Sequence, residues 1–289
     1  MLDFKELTLQ AKQEIESCAK NVRVTSSELT FTTFFIYRKL LNVKYAIKDG
    51  MVIYKTKIGK GKEGYRFPLG DGDKAALINE LIAENPNLLF YGLTSDMIDF
   101  LEQNFKDRFT FSKMENFDDY VYSWDKLANL TGKKLHSKRN HINNFYKLYH
   151  SEFSKITPED KDLIISTYDR WFKETDDKFL LQEKEGIKDL LTNYDKLGLV
   201  GGKLMVSGNL VAFSIGERLN DDTAVIHIEK ADTNYKGAYT VINQQFAKNC
   251  LYGFTYINRE EDMGLEGLRK AKMSYQPDFM VEKYKGELL

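Results

Sequence analysis

The sequence predicts an α+β protein of two tandem modules, each with a mixed, mostly antiparallel sheet flanked by helices. At 289 residues the chain exceeds the size at which a single hydrophobic core normally stops growing. Short strand patterns bounded by turn residues alternate with amphipathic helical patterns in both halves. The order of elements is the same in residues 1–130 and 131–289: helices, antiparallel strands, a helix, a strand, a helix and a strand.

Residues 1–130 form the first predicted module, in which we expect no catalytic site. Apolar residues from Phe4 to Cys18 recur at helical spacing, and a second helix is predicted over 32–41. The strands VKYAIK and MVIYKT flank Asp49-Gly50, which favours the positive φ angles of a type I′ turn, so they form a hairpin. The remaining elements are a strand at 65–69, a helix capped by Asp73, the strand LLFYG, a helix at 96–105 and the strand RFTFSKM.

Residues 131–289 form the second predicted module, which opens with a basic linker helix. Thr157-Pro158-Glu159-Asp160 combines a cap residue, a proline at the first helical position and early acids, so a helix starts there. The apolar stretch 197–216 contains the turn Ser207-Gly208-Asn209 and therefore predicts a β-hairpin instead of a membrane span. The later elements are the strand TAVIHIEKA, a helix after Gly237, the strand FTYIN, the helix GLEGLRKAKMSY and the strand DFMVEKY.

Composition and charge favour a cytoplasmic protein. The net charge of −1 gives no general attraction to nucleic acid or anionic lipid, so a polyanion must be bound by a local patch. Cys18 and Cys250 are isolated and lack a CxxC spacing, which is typical of a reducing compartment. The first residues do not follow the pattern of a signal peptide, and no GxSxG, HExxH or kinase motif occurs.

The segment IHIEKADTNYKGAYTVINQQF runs from a strand through a polar loop into a long helix. The first N–H groups of a helix lack backbone partners, so they attract a phosphate or a developing oxyanion. A glycine lets the ligand approach the backbone closely, and a lysine adds positive charge. The pattern therefore predicts a donor-binding loop, although an ordinary strand-to-helix connection looks the same: Asn234, Tyr235, Lys236, Gly237 and Ala238.

An acidic run follows the strand FTYIN and precedes a helix, at an edge of the sheet where α/β proteins commonly hold ligands. Its charges are suited to bind the amino group of a substrate. The alternative is structural, because acids before a helix also complement the helix dipole. The candidate residues are Asn258, Arg259 and Glu261 for substrate binding, and Asp262 for catalysis.

The stretch TGKKLHSKRNHINNFYKLYH is the densest basic segment and contains no acid. A groove lined in this way can hold RNA phosphates, with Tyr146 or Tyr149 available for stacking. A solvated linker helix is the alternative. The histidines lack metal-ligand spacing, so no metal site is predicted. The predicted nucleic-acid patch comprises Lys133, Lys134, Lys138, Arg139 and Lys147.

Three segments together resemble a family of bacterial proteins similar to the C-terminal domain of phosphatidylglycerol lysyltransferase. They are KADTNYKGAYTVINQQF, YINREEDMGLEGLRKAKMSYQP and LHSKRNHINNF. The resemblance implies two tandem modules of the GCN5-related N-acetyltransferase fold, akin to the Fem aminoacyltransferases. It implies transfer of an amino acid from aminoacyl-tRNA, or of an acyl group from acyl-CoA, with no tightly bound cofactor. The acceptor would be an amine or hydroxyl of a small molecule, a peptide or a lipid headgroup.

The resemblance also suggests catalytic roles in the second module. The strand with His227 and Glu229 would line the acceptor side, and either residue would be a candidate general base. A histidine on an alternating strand is more often a hydrogen-bonded core residue, however. Tyr275 is a candidate general acid for the leaving group, although in a chain with 17 tyrosines a packing role is the more common one. A non-catalytic binding protein and a small-molecule acyl-CoA N-acetyltransferase remain the alternative functions.

Overall fold

The computed structural model describes residues 2–59, 61–171 and 178–289. Its contacts divide the chain into Met1–Asp118 with Val281–Leu289, and Asp119–Met280. This division differs from the expected boundary at 130/131. Residues 119–130 belong to the second unit because their strand and helix pack there, and the last residues of the chain return to the sheet of the first unit.

The first unit has an eight-stranded mixed sheet in the part of the chain that the structure describes. Its strands are β1 (Lys5–Glu6), β2 (Lys44–Lys48), β3 (Met51–Ile58), β4 (Lys62–Tyr65), β5 (Leu69–Gly70), β6 (Leu89–Leu93), β7 (Phe109–Lys113) and β15 (Tyr284–Leu288). The order is β1-β2-β3-β4-β6-β15-β7, with β5 beside β3. Among the described pairs, β4 with β6 is parallel and the others are antiparallel.

Helices and turns of the first unit follow the local signals. The helices are α1 (Lys12–Ala19), α2 (Phe31–Tyr37), α3 (Lys74–Glu84) and α4 (Ser95–Asn104). The predicted β2–β3 hairpin is confirmed, with φ of 50° at Asp49 and 73° at Gly50. The Asp73 carboxylate accepts a hydrogen bond from the N–H of Ala76 at 3.0 Å, which confirms the predicted cap.

The second unit has a seven-stranded mixed sheet among the described residues. Its strands are β8 (Asp119–Ser123), β9 (Ser151–Lys155), β10 (Val200–Val206), β11 (Asn209–Arg218), β12 (Thr223–Ala231), β13 (Tyr256–Asn258) and β14 (Phe279–Val281). The order is β14-β8-β13-β12-β11-β10-β9. The predicted hairpin of β10 and β11 is confirmed, with φ of 48° at Ser207 and 78° at Gly208.

The helices of the second unit are α5 (Trp124–Asn129), α6 (His136–Leu148), α7 (Lys161–Trp171), α8 (Lys178–Thr192), α9 (Tyr194–Leu197), α10 (Ala238–Cys250) and α11 (Glu266–Met273). The helix start predicted at Thr157 is confirmed and carries a capping box, in which Asp160 accepts a hydrogen bond from the N–H of Thr157 at 2.9 Å. Helix α10 buries Val241, Ile242 and Phe246 in the core of the unit. The mixed sheets with flanking helices confirm the predicted α+β class.

The sequence predicts one strand at DFMVEKY, but the structure shows two. The segment splits into β14, which belongs to the sheet of the second unit, and β15, which pairs with β6 and β7 in the first. Within the described residues, no helix combines the length and the apolar character needed to cross a membrane.

The pairing of β12 with β13 determines where the charged residues of the second unit lie. Strand β13 runs parallel to β12 for three residues only, from the pair Thr223 and Tyr256 to the pair Val225 and Asn258. Strand β12 continues to Ala231, whereas the chain after β13 turns through Glu260, whose φ is 57°. Side chains, not backbone pairs, therefore connect the second half of β12 to the loop after β13.

Candidate functional site

A charged group lies where β13 ends beside β12. The Arg259 Nη2 atom donates to Oε1 of Glu229 at 2.8 Å, and Nδ2 of Asn243, on α10, donates to the other oxygen at 2.8 Å. The side chains of Arg259 and Glu229 are 11% and 12% exposed. Both oxygens of Glu229 are therefore held by donors, in a setting where water screens the charges little.

Two atoms of this group have no hydrogen-bond partner among the described residues: Nη1 of Arg259 and Oδ1 of Asn243. A buried polar atom left unpaired costs about 1–3 kcal/mol, so such atoms are rare in native proteins and call for a ligand, ion or water. The group thus offers one unused donor and one unused acceptor next to a fixed carboxylate.

Two tyrosines form the apolar side of the group. The Arg259 guanidinium lies 4.8 Å from the ring centre of Tyr275 and 5.6 Å from that of Tyr122. The Tyr122 hydroxyl donates to the carbonyl of Lys272 at 2.8 Å, which fixes the end of α11. Burial raises the pKa of Tyr275 to about 12, so its phenol is protonated at neutral pH. Its predicted role as an acid stays a prediction.

Lys138 joins this group instead of the outward basic patch. Its Nζ atom lies 4.0 Å from the ring centre of Tyr275. Burial and the nearby Arg259 lower the pKa of Lys138 to about 8, and Glu229 offsets this only in part. We name the cluster of Lys138, Glu229, Asn243, Arg259 and Tyr275 the Arg259 cluster.

His227 is clamped between two carboxylates. Its Nδ1 lies 2.8 Å from Oε1 of Glu260 and its Nε2 lies 2.9 Å from Oε1 of Glu217, and its side chain is 1% exposed. Burial lowers the pKa of His227, but the two carboxylates outweigh burial and raise it to about 10. A ring protonated on both nitrogens cannot accept a proton, so this geometry does not support a general base at His227.

Asp262 is also fully engaged. Its carboxylate accepts from Nε of Arg269 at 2.8 Å, from the Tyr120 hydroxyl at 2.5 Å and from the N–H of Gly264 at 2.8 Å. These bonds, above all that from Arg269, lower the pKa of Asp262 to about 2. The carboxylate has no free oxygen for a substrate, so the geometry supports the structural alternative.

Asn258 and Lys272 hold the rest of the loop. The Asn258 amide donates to Asp119 at 2.9 Å, and its oxygen accepts the N–H of Glu260 at 2.7 Å. The buried Lys272 ammonium donates to three consecutive backbone carbonyls, those of Arg259, Glu260 and Glu261. Asn258 is thus fully buried and structural, while Glu261 is partly exposed beside the cluster.

The predicted donor-binding loop is packed differently from the expectation. Gly237 has a φ of 97°, and a Cβ built on it would lie 2.9 Å from the carbonyl of His141 and 3.3 Å from Cβ of Phe145. Helix α6 therefore covers this side of the start of α10, and the glycine permits that contact. The N–H of Ala238 bonds to the carbonyl of Tyr235 at 3.0 Å. Asn234 bonds to Asp232, and Lys236 is exposed.

The predicted nucleic-acid patch divides into three parts. Arg139 donates to the carbonyls of Leu130 and Gly132, so it closes the turn before α6. Lys138 belongs to the Arg259 cluster. The exposed members are Lys133, Lys134 and Lys147. A depression of about 240 Å³ is lined by His136, Arg139, Ile142 and the carboxamide side chains of Asn129, Asn140, Asn143 and Gln244.

Sequence reasoning missed Asn243, Tyr122 and Lys272. Asn243 is a polar residue on the buried face of α10, between the core residues Ile242 and Phe246, and that anomaly was the available signal. The β8 residue Tyr122 joins the site only through the pairing of β8 with β13, which no local pattern indicates. Lys272 lies in a run of basic residues that reads as a solvated helix face.

The chain is similar to two bacterial proteins without an assigned function. A conserved protein of unknown function from Bacteroides thetaiotaomicron VPI-5482, solved by crystallography, is 36% identical, with all of both chains covered and a TM-score of 0.93. An uncharacterized protein of Mycoplasmoides gallisepticum is 28% identical over 177 residues. That match covers 59% of this chain, and the chain spans about half (56%) of the curated relative.

Fold and family agree with the resemblance seen in the sequence. The structure of L-PGS from Bacillus licheniformis is 16% identical, with 96% of this chain and 91% of that chain covered and a TM-score of 0.65, so the two share the fold. The structure of an acetyltransferase of the GNAT family shares it as well, with a TM-score of 0.51, which confirms the predicted fold. The family model described as phosphatidylglycerol lysyltransferase, C-terminal, matches residues 19–285. The chain therefore belongs to the phosphatidylglycerol lysyltransferase C-terminal family.

Proposed function

We propose that the chain is a transferase that moves an aminoacyl or acyl group from an activated ester or thioester to an amine or hydroxyl acceptor. The observation that carries the proposal is the Arg259 cluster, in which Nη1 of Arg259 and Oδ1 of Asn243 are buried and have no hydrogen-bond partner in the part of the chain that the structure describes. Family membership supports the same reaction class.

The cluster meets the two chemical needs of acyl transfer. The carbonyl oxygen of the donor becomes an oxyanion in the tetrahedral intermediate, and a preorganised cation in a water-poor site stabilises it. Nη1 of Arg259 supplies that donor, since Glu229 already holds Nη2. Oδ1 of Asn243 supplies an acceptor for the N–H of a substrate ammonium. One ligand with both groups would satisfy both unpaired atoms.

For the donor we propose aminoacyl-tRNA, with lysyl-tRNA tested first because the family description names a lysyltransferase. The exposed Lys133, Lys134 and Lys147 near the start and end of α6 give the positive charge that RNA phosphates need. For the acceptor we propose the hydroxyl of a lipid headgroup such as phosphatidylglycerol, or an amine of a peptide or small molecule. Acyl-CoA is the alternative donor.

A transfer assay with purified protein tests the proposal. The protein is incubated with lysyl-tRNA, other aminoacyl-tRNAs, acetyl-CoA or longer acyl-CoAs and each acceptor class, and products are identified by mass spectrometry. Thermal shifts with the same donors report binding, because a ligand of the native state raises its apparent stability. Donor binding without product in any combination would favour the non-catalytic alternative.

The variant Arg259→Lys links the reaction to the cluster. Lysine keeps the positive charge beside Glu229 but cannot place a second N–H at the position of Nη1. We expect turnover to fall about 10²- to 10³-fold, as for the loss of one oxyanion donor. Arg218→Lys is the matched control, since Arg218 is 65% exposed and forms a surface ion pair with Asp221. Unchanged turnover of Arg259→Lys would contradict the role of the cluster.

A further inference from the structure

We propose that Lys138 is the general base of this transfer and that its neutral amine takes the proton from the acceptor. The inference rests on the proposed function and adds a catalytic residue to it. The sequence places Lys138 in a basic run that predicts RNA contact, whereas the structure turns its side chain towards the Arg259 cluster.

The position of Lys138 follows from helical periodicity. It lies four residues before Ile142 and seven before Phe145, both buried, so the three share one face of α6. Lys147 lies nine residues after Lys138, on the opposite face of α6, and Lys134 precedes α6 in a short 3-10 helix; both are exposed. The amine of Lys138 is thus carried inward by the same packing that seats α6 against α10.

The other candidate bases near the cluster are already engaged. His227 is held on both ring nitrogens by Glu260 and Glu217. Both oxygens of Glu229 accept hydrogen bonds, from Arg259 and Asn243. Asp262 is saturated by its own donors. His227 and Asp262 therefore present no free lone pair to a substrate, and each oxygen of Glu229 already accepts a hydrogen bond.

Lys138 differs from them because its amine is half buried and makes no hydrogen bond or ion pair with any described residue. The amine lies over the face of the Tyr275 ring, with Nζ 4.0 Å from the ring centre. The titratable or charged groups facing it are Arg259 from the loop after β13, Glu229 from β12, and Tyr275 after α11. Burial and the positive Arg259 favour the neutral amine, whose pKa is about 8. At pH 8 about half of the molecules then carry a base in the right form.

The reaction is balanced without any further reagent. The acceptor oxygen or nitrogen attacks the donor carbonyl, and Nζ of Lys138 takes the acceptor proton as the new bond forms. Arg259 Nη1 holds the resulting oxyanion. When the intermediate collapses, the bond to the leaving oxygen or sulfur breaks, and the ammonium of Lys138 returns the proton to it. Lys138 ends neutral, ready for another cycle.

Competitive labelling with trace acetic anhydride tests the amine itself, without any substrate. The extent of acetylation at each lysine is measured by mass spectrometry between pH 6 and pH 11. We expect Lys138 to titrate near pH 8, whereas the lysine amine of a short unstructured reference peptide titrates near about 10.4. A Lys138 titration that coincides with that of the reference peptide would overturn the inference, whatever the enzyme transfers.

Kinetics of Lys138→Met test the role in catalysis. We expect kcat to fall at least about 10²-fold and KM to change little. The increase in kcat that the wild type shows as the pH rises through about 8 should disappear. Added methylamine should restore part of the rate to Lys138→Ala. Lys248→Met is the matched control, because Lys248 is an exposed lysine on α10. If the wild type is active and Lys138→Met is equally active, the role of Lys138 as base is refuted and the proposed function stands. If the wild type is inactive with every donor, the proposed function is refuted, and the labelling experiment decides whether Lys138 has a lowered pKa.

Discussion

Replacing Asp262 with asparagine separates a structural role from a catalytic one. The substitution keeps the size of the side chain but removes its charge and converts one oxygen to a donor. The Asp262 carboxylate accepts hydrogen bonds from Arg269, Tyr120 and Gly264 and is 3% exposed, so the change falls on a buried, saturated group. We expect the second unit to lose stability while turnover of the folded protein is retained.

The pKa of Asp262 sets the magnitude. It is about 2, against an ordinary value of 3.8, and that difference corresponds to about 2.4 kcal/mol in favour of the charged form. Arg269 is 44% exposed, so solvent screens part of its contribution and we expect a loss of about 2 kcal/mol. For a unit of this size the midpoint of thermal unfolding should fall by about 4–8 °C.

Thermal unfolding at several pH values provides the assay. Because folding lowers the pKa, the stabilisation is complete above pH 3.8 and disappears as the pH falls through about 2. The gap between wild type and Asp262→Asn should therefore be constant near neutral pH and close below pH 3.8. Asp221→Asn, at a side chain that is 97% exposed, should change little. A variant with wild-type stability and strongly reduced turnover would refute the structural assignment and favour catalysis.

Three further predictions follow from the packing and charges. Gly237→Ala should cost about 1–3 kcal/mol more in unfolding free energy than Gly253→Ala, because both have positive φ but only the first meets another chain segment. Because the raised pKa of His227 stabilises the fold only while the ring is protonated, the wild type should lose unfolding free energy as the pH rises from 6.5 to about 10. His227→Gln should not show this loss. Lys133→Glu with Lys134→Glu should weaken tRNA binding and flatten its salt dependence, measured by filter binding.

Local elements were predictable because their causes are local. The Asp49-Gly50 turn, the Asp73 cap and the Thr157 capping box each depend on residues within four positions of one another. Their geometry is fixed by φ preferences and side-chain hydrogen bonds before any tertiary contact forms. The fold class followed from the order of such elements in each half.

The site was predicted only in part, because long-range pairing decides it. Glu229 and Arg259 were both named from the sequence, but their ion pair spans 30 positions and depends on where β13 stops beside β12. Asn243 interrupts the apolar face of α10 in the sequence, but its contact with Glu229 depends on how that helix packs. Gly237 was assigned to a ligand because a glycine that admits a phosphate and one that admits a helix look identical in sequence.

Helix α6 shows how one basic run can serve several purposes. Charge counting treats its lysines and Arg139 as equivalent, whereas helical periodicity divides them into an inward Lys138, a turn-closing Arg139 and exposed ends. A charge run thus predicts affinity for anions only after the buried face of its helix has been identified.

The short β13 strand explains why charges gather at this point of the second unit. Because β13 ends after three pairs, the loop that follows it lies beside the second half of β12, where Glu260 contacts His227 and Arg259 contacts Glu229. Both ring nitrogens of His227 are engaged by carboxylates. Nη1 of Arg259, by contrast, has no hydrogen-bond partner among the described residues, and Lys138 lies nearby. The same interruption of the sheet therefore yields both the clamp that fixes the loop and the open group suited to chemistry.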